Sequence, residues 1–238
     1  MPEGKSPDQA ALKLVSAAAH DIKTPLVFIR GAAAQLQHEP PEPEELARQL
    51  NRIEQSAGRL LSLVDSLIGS SQAAQQPLAL EPVQAERAIY DALEDIGPYA
   101  QELGFKFNVY VSRHLPPILS NHLALKRILF NLLDNAVRYT QDKKEIDVRA
   151  RRDSGRVRVT VRDYGVGVRR QDLEQIWQLF GQAAEPSTVV PGSSGLGLYI
   201  ASNLSQSMAA ELDLKPLSKG TKFYLRLPVA NQLSLFGA

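Results

Sequence analysis

The chain has 238 residues, a length that suggests one or two domains, with two slightly favoured. Apolar residues make up 44% of it, and 27 Lys and Arg oppose 26 Asp and Glu, so the formal charge is only +1. This balance argues against a protein that works by coating nucleic acid or an anionic membrane. The lack of cysteine excludes a disulfide scaffold, a thiolate metal site and a cysteine nucleophile. The N-terminus is polar and no run approaches 18 apolar residues, which predicts a cytoplasmic protein without a secretory signal or membrane span.

The first third of the chain predicts two long helices. A heptad of apolar positions runs without a miss through Leu12, Val15, Ala19, Ile22, Leu26, Ile29, Ala33 and Leu36. A proline-rich stretch at 38–43 stops it, and the pattern restarts at Leu46, Leu50, Ile53, Ala57, Leu60, Val64 and Leu67. Helices over 8–37 and 43–72 would form an antiparallel hairpin with arms of about 45 Å. Because a lone hairpin leaves apolar surface wet, we expect a homodimeric four-helix bundle.

The character of the sequence changes after the polar stretch 70–77, which is typical of a linker. Alternating apolar residues predict four strands, at 105–111, 146–150, 157–161 and 223–227. Helical patterns lie between them, at 84–103, 122–139, 170–180 and 198–210. This order favours an α/β sandwich with a mainly antiparallel sheet.

The first candidate site lies on the first helix, in the sequence His20-Asp21-Ile22-Lys23-Thr24-Pro25. His20 and Thr24 are one helical turn apart and off the apolar seam, so they share a solvent face. Neutral imidazole is a nucleophile near pH 7, and Asp21 can hydrogen-bond one ring nitrogen while the other attacks. A surface histidine on a coiled coil is the commoner explanation. Pro25 favours the functional one, because a proline inside a helix costs about 3 kcal/mol.

The second candidate site is a polar stripe on one face of the helix that ends near residue 139. Amide oxygens of Asn131 and Asn135 can ligate Mg²⁺, Arg138 can meet phosphate oxygens, and the ring of Tyr139 can lie against a base or sugar. Taken alone, such a stripe is more often simply the wet side of an amphipathic helix.

Two glycine-rich segments complete the candidate chemistry. Asp163-Tyr164-Gly165-Val166-Gly167 follows the strongest strand, where glycines allow close approach of a ligand and the carboxylate can accept from an exocyclic amine. Residues 192–199 open a helix, whose glycine-rich N-terminus suits phosphates. Neither segment is a Walker A loop or a dinucleotide fingerprint, and each alone could be a simple turn.

In this order the segments resemble the conserved boxes of bacterial sensor histidine kinases over residues 8 to about 229. Residues 19–26 resemble the H box, 131–140 the N box, 163–167 the G1 box, 177–180 the F box and 195–198 the G2 box. The resemblance implies an α+β protein. A dimerisation and phosphotransfer hairpin (1–75) would precede an α/β sandwich ATP-binding domain (76–230) of the gyrase- and Hsp90-like Bergerat or GHKL fold, followed by a tail (231–238).

The resemblance also implies a role for each matching residue. His20 would accept the phosphoryl group from ATP, Asp21 would be its base, and Thr24 would place water for dephosphorylating a response regulator. Mg²⁺ would be held by Asn135 with Asn131 nearby, and Asp163 would bind the adenine amino group. The remaining nucleotide-binding residues would be Arg138, Tyr139, Gly165, Gly167, Phe180, Gly195, Leu196, Gly197 and Leu198, with 181–194 as a mobile lid.

The predicted function is therefore an ATP-dependent protein-histidine kinase in a two-component phosphorelay, which autophosphorylates His20, transfers the phosphoryl group to an aspartate of a response regulator and also dephosphorylates that regulator. The chain would be either an excised catalytic core or a cytosolic kinase that receives its signal from a separate upstream sensor protein. A regulator-binding phosphotransfer scaffold that no longer uses ATP is the alternative. The expected partners are a second copy of the chain and a receiver domain, with no nucleic acid. The family usually has an acidic residue where Asn121 stands and Glu where Asp21 stands.

The last eight residues extend past the final predicted strand. Gln232, Leu233, Leu235 and Phe236 resemble the short peptide by which bacterial proteins dock on the replication sliding clamp. A tail that folds back on the sheet or is disordered is the favoured interpretation, because five-residue matches often arise by chance.

Overall fold

The computed structural model describes residues 22–23, 26–37, 41–43, 45–50, 52–53, 56–57, 60, 78–141, 143–178, 181–182 and 195–230. The chain divides into two units, residues 1–75 and residues 76–238. None of the helices in these described ranges is long and apolar enough to cross a lipid bilayer.

The N-terminal unit is helical over residues 26–37 and 45–50, which fall within the two predicted helices. Ile29, Leu36 and Ile53 of the predicted seam are partly buried within one chain. Leu26 and Leu50 of the same seam remain 48% and 52% exposed. Apolar seam positions that a single chain leaves exposed are what a bundle dimer would cover, and the dimer stays a prediction.

The C-terminal unit is built on a five-stranded mixed sheet. In chain order its seven strands are β1 (Glu81–Val83), β2 (Lys106–Val111), β3 (Ile118–Ser120), β4 (Glu145–Asp153), β5 (Arg156–Arg162), β6 (Glu211–Pro216) and β7 (Thr221–Pro228). The large sheet has the order β2-β4-β5-β7-β6, and only the β2–β4 pair is parallel. The short strands β1 and β3 pair separately as an antiparallel ribbon. The predicted mainly antiparallel sheet is confirmed.

Three helices cover one face of this sheet: α1 (Ala85–Glu102), α2 (His122–Tyr139) and α3 (Gly197–Ser207). Strand β5 alternates strictly, with Val157, Val159 and Val161 at most 1% exposed in the core beneath the helices. The alternate residues Arg156, Arg158, Thr160 and Arg162 point to the opposite face. The α+β sandwich predicted for the second domain is therefore confirmed.

Two features of this unit differ from the sequence-based prediction. Strands β1, β3 and β6 were not predicted, because the first two are three residues long and β6 has too few alternating apolar residues. The predicted helix at 170–180 is wrong, because two 3₁₀ turns, Arg170–Asp172 and Gln175–Trp177, occupy the segment. The backbone N–H groups of Asp172 and Gln178 donate to the carbonyls three residues earlier, those of Arg169 and Gln175, and the extended backbone of Gln178 ends the second turn.

The start of α2 explains why Asn121 can replace an acidic residue. Its side-chain Oδ1 accepts from the backbone N–H of Ala124 at 3.0 Å, and its Nδ2 donates to the carbonyl of Ala79 at 3.2 Å. Asn121 is therefore the N-cap of α2 and also ties the helix to the segment before β1.

Candidate nucleotide-binding site

Helix α2 carries two amide side chains whose nitrogen atoms have no partner. Asn131 and Asn135 lie one turn apart on the face opposite the core residues Leu133 and Val137, which fix the rotation of the helix. The Nδ2 atoms of both are buried and make no hydrogen bond within the described part of the chain. Because a buried amide without a partner is costly, these groups indicate a place for a polar ligand.

The N-terminus of α3 lies against the same two amides. A Cβ built on Gly197 would be 3.7 Å from Asn131 Oδ1 and 3.8 Å from Asn135 Nδ2. The helix has no side-chain N-cap hydrogen bond, and Gly195 just before it has a φ of +69°, which favours glycine. The first backbone N–H groups of a helix carry partial positive charge and bind anions. The structure thus brings residues 131, 135 and 197 together, as the sequence analysis expected.

Asp163 lies at the end of β5 and is only 4% exposed. Its Oδ1 accepts from the backbone N–H of Gly165 at 2.9 Å and from that of Thr221 at 3.0 Å. These two bonds fix the carboxylate and leave Oδ2 available to accept from an amine. Burial raises the pKa of Asp163 above its ordinary value, while the backbone hydrogen bonds from Gly165 and Thr221 oppose the rise.

The loop after β5 depends on two close backbone contacts. A Cβ on Gly165 would overlap the carbonyl oxygen of Tyr139 at the end of α2, whose carbonyl also accepts from Val166 N–H at 3.2 Å. A Cβ on Gly220, where φ is +81°, would overlap the carbonyl oxygen of Asp163. The glycine at 165 thus allows the protein backbone itself to approach, a role that was not expected from the sequence.

Sequence reasoning missed Gly220 and Thr221. Thr221 is 3% exposed, and its backbone holds Asp163 through one bond in each direction. The available signal was a Gly-Thr pair at the entry of the last strand, which resembles an ordinary hairpin turn unless the partner strand is known.

Arg138 lies near the same face, but its Nε is paired. It donates to Asp134 Oδ2 at 2.7 Å, and the side chain is 10% exposed. Burial lowers the pKa of Arg138, but the charge and hydrogen bond of Asp134 outweigh that effect and raise it, so the group stays charged. The contact of Arg138 with phosphates stays a prediction.

Two of the predicted nucleotide-binding residues have a visible packing role. Leu196 is 3% exposed, and Leu198 packs against the hydrophobic core. Gly167 has a φ of +74° and faces the carbonyl of Gly220. Several predicted site residues lie outside the described ranges: His20, Asp21, Thr24, Phe180 and the tail residues Gln232, Leu233, Leu235 and Phe236.

Two family models match the chain. Residues 10–76 match the His Kinase A (phospho-acceptor) domain, and residues 120–231 match the histidine kinase-, DNA gyrase B-, and HSP90-like ATPase. The chain belongs to the sensor histidine kinases. The resemblance drawn from the five boxes is thereby confirmed.

Known proteins agree with this assignment. The sensor histidine kinase GacS of Pseudomonas protegens is 32% identical over 218 residues, covering 87% of this chain and 23% of GacS. The chain therefore spans about a quarter of the length of that relative. The crystal structure of full-length ShkA in complex with AMPPNP matches with a TM-score of 0.63 and 29% identity, covering 95% of this chain and 47% of ShkA. The complex of histidine kinase ThkA with response regulator protein TrrA, at 16% identity and a TM-score of 0.64, covers 92% of this chain and 61% of that one and shares the fold.

Gly197→Ala is expected to weaken nucleotide binding without disturbing the fold. The new methyl group would make ordinary contact with Asn131 and Asn135 and fill the gap in front of their amides. We expect the free energy of unfolding to change by less than about 1 kcal/mol and the affinity for a non-hydrolysable ATP analogue to fall at least about tenfold. Calorimetric titration and thermal unfolding measure the two effects.

Gly165→Ala is the matched control, because its methyl group overlaps the Tyr139 carbonyl oxygen and should lower stability as well. Unchanged affinity in Gly197→Ala would contradict the assignment.

Asp163→Asn is expected to separate stability from binding. The pKa of Asp163 is raised in the folded state, so the folded protein keeps the proton on this carboxyl to a higher pH than the unfolded chain does. The contribution of Asp163 to stability therefore falls as the pH rises through this range. At pH 7 the carboxylate is charged, and its burial lowers the free energy of unfolding. An asparagine Oδ1 can keep both backbone hydrogen bonds without that cost, but its NH₂ would face the base. Thermal stability at pH 7 should stay equal or rise, while affinity for the ATP analogue falls at least about tenfold. Loss of stability together with retained binding would refute this role.

Proposed function

We propose that this chain is an ATP-dependent protein-histidine kinase that phosphorylates His20. The observation that carries the proposal is that Asn131 and Asn135, whose buried Nδ2 atoms have no hydrogen-bond partner among the described residues, lie beside Gly197 at the N-terminus of α3, which no side chain caps. An uncapped helix N-terminus suits the phosphates of a nucleotide, and polar amides beside it suit the cation that accompanies them.

The base of ATP would bind at the opposite end of this site. Asp163 Oδ2 would accept from the exocyclic amine of adenine, while its Oδ1 stays held by Gly165 and Thr221. A carboxylate can only accept in this position, so the same site disfavours a base that presents a carbonyl oxygen there. Arg138 would lie toward the phosphates, and Tyr139 would lie near the base or sugar.

Mg²⁺ fits the residues present. No group of three or more His, Cys, Asp or Glu side chains that could hold a metal occurs within the described ranges. Mg²⁺ in nucleotide sites, however, takes only one or two protein ligands and keeps waters and phosphate oxygens. Asn135, with Asn131 nearby, would supply amide oxygens, and the ion would neutralise charge on the phosphates.

The phosphoryl transfer would take place at His20. The free ring nitrogen attacks the γ-phosphorus, the bond to the bridging oxygen of ADP breaks, and Asp21 accepts the ring proton. Asn131 stands where, by the family resemblance, ATP-hydrolysing proteins of this fold carry a glutamate that activates water. An amide cannot take up that proton, so ATP would be held until the histidine arrives.

We place the chain in the cytoplasm as a homodimer. It passes its phosphoryl group to an aspartate of a receiver domain, and Thr24 positions the water that later hydrolyses the phosphoaspartate. The ThkA complex, in which a histidine kinase is bound to a response regulator protein, supports a partner of this kind. An upstream sensor protein or domain would supply the signal. The alternative is a regulator-binding scaffold that does not use ATP. It is disfavoured because Gly197 lies beside Asn135 and the carboxylate of Asp163 is held by Gly165, as the proposed nucleotide site requires.

His20→Gln is expected to abolish labelling of the protein by γ-labelled ATP, because glutamine offers no nucleophilic ring nitrogen. Titration with a non-hydrolysable ATP analogue should give the wild-type affinity, since the nucleotide site is in the other unit. Persistent labelling would refute the phosphoacceptor assignment. Absence of analogue binding in the wild-type chain would instead favour the ATP-independent scaffold.

Thr24→Ala is expected to spare autophosphorylation and slow dephosphorylation of the regulator, because only the second reaction needs a positioned water. The measurement is the decay of label on a phosphorylated receiver domain, with and without the variant. Thr24→Ser, which keeps the hydroxyl, is the matched control. Equal loss of both activities in Thr24→Ala would argue against a water-positioning role.

The C-terminal tail follows directly on the ordered sheet, since Ala230 N–H donates to the carbonyl of Pro117 at 2.9 Å. A labelled peptide of residues 229–238 tests the sliding-clamp resemblance by fluorescence anisotropy against purified bacterial clamp. Binding that is lost when Leu235 and Phe236 are replaced by alanine would support docking. Equal binding of the wild-type and alanine-substituted peptides would argue against docking of the tail on the clamp.

A further inference from the structure

The face of the large sheet that points away from the helices carries a group of basic side chains. Register pairs Arg162 on β5 with Lys222 on β7, and Lys222 with Lys215 on β6. Neighbouring strands lie about 4.8 Å apart, so the three side chains stand next to one another. Arg149 on β4 is on the same face and is 62% exposed. These four residues are called the basic patch.

The basic patch is poorly neutralised. No carboxylate of the described residues lies within 4.0 Å of Arg162, Lys215 or Lys222, and Arg149 Nη2 is 3.9 Å from Asp147 Oδ2. Burial and the charges of Arg162, Arg149 and Lys215 lower the pKa of Lys222. Like charges on directly opposed strand positions are destabilising, so the sheet carries a cost that an anionic partner would relieve.

The nearest acidic group is occupied by other side chains. Asp147 is 7% exposed, and its Oδ1 accepts from Asn108 Nδ2 at 3.0 Å. Its Oδ2 accepts from the hydroxyl of Tyr164 at 3.0 Å. The ring of Tyr164 in turn lies 4.4 Å from the guanidinium of Arg162, whose buried Nε has no hydrogen-bond partner among the described residues.

The other end of the same face is partly neutralised. Arg158 pairs with Asp153 at 3.0 Å, while Arg156 and Arg226 share Glu211 at 3.4 Å, and exposed Arg151 lies beside Arg158 in the register. The excess of positive charge is therefore greater at the end of the face where β5 ends and β7 begins. A ligand that matches it must present its negative charge over a small area.

We propose that the basic patch docks a compact acidic surface of a protein partner. Carboxylates suit it because the guanidinium and ammonium groups can each donate to them, with charge-assisted hydrogen bonds. A nucleic acid strand fits less well, because a chain with a net charge of only +1 offers no extended positive surface for a phosphate backbone beyond the patch. The exposed ring of Tyr110 is also already covered on one side by Arg149, at 5.1 Å.

The test uses the full chain and a labelled oligoglutamate peptide as the probe. Binding is measured by fluorescence anisotropy at an ionic strength of about 0.01 M and again at about 0.15 M. The double variant Lys215→Glu, Lys222→Glu is expected to bind the peptide at least about tenfold more weakly than the wild-type chain. Arg87→Glu is the control, because Arg87 is exposed on helix α1 and lies outside the basic patch. This variant is expected to bind the peptide like the wild type. Wild-type binding by the double variant, or an equal loss in Arg87→Glu, would overturn the proposal.

An oligothymidylate of the same net charge distinguishes the two kinds of partner. The proposal expects it to bind more weakly than the peptide, and tighter binding would overturn the proposal in favour of a nucleic acid. Fluorescence of Trp177, the single tryptophan, checks that each variant keeps the C-terminal unit folded. Should the double variant unfold, Lys215→Gln with Lys222→Gln removes the charges more gently and is expected to weaken peptide binding in the same direction.

Discussion

The carboxylate of Asp163 is held at the centre of the C-terminal unit by two backbone N–H groups, and the rest of the site depends on that restraint. One N–H comes from the loop that leaves β5 and the other from the first residue of β7. The loop is in turn pressed against the last carbonyl of α2, the helix that carries the two amides. The proposed base-binding and phosphate-binding ends of the site are thus parts of one backbone arrangement.

Much of this architecture could be predicted from the sequence. Strict alternation over Val157, Val159 and Val161 is enough to predict a strand with one buried face. The apolar stripe of α2 likewise predicts that Asn131 and Asn135 lie on the helix face away from the core. Family resemblance added the order of the boxes and the role of each residue, which periodicity alone does not provide.

Long-range backbone contacts could not be predicted in the same way. Gly220 and Thr221 act through Asp163, which is 58 residues away from Thr221. The segment at 170–180 has a helical apolar pattern, but it forms two short 3₁₀ turns, and the extended backbone of Gln178 that ends the second turn is not contained in a local pattern. The backbone contact at Gly165 could not be predicted for the same reason, because the atom that excludes a side chain there belongs to α2.

The close approach of Gly165 to the carbonyl of Tyr139 has a consequence for how such proteins diverge. Even the methyl group of alanine cannot be accommodated at this position. Any substitution of Gly165 therefore displaces the loop, and no replacement by a small residue leaves the loop intact. In related proteins that lose ATP binding, we expect this glycine to be replaced together with a rearrangement of the loop, whereas exposed positions would accumulate substitutions gradually.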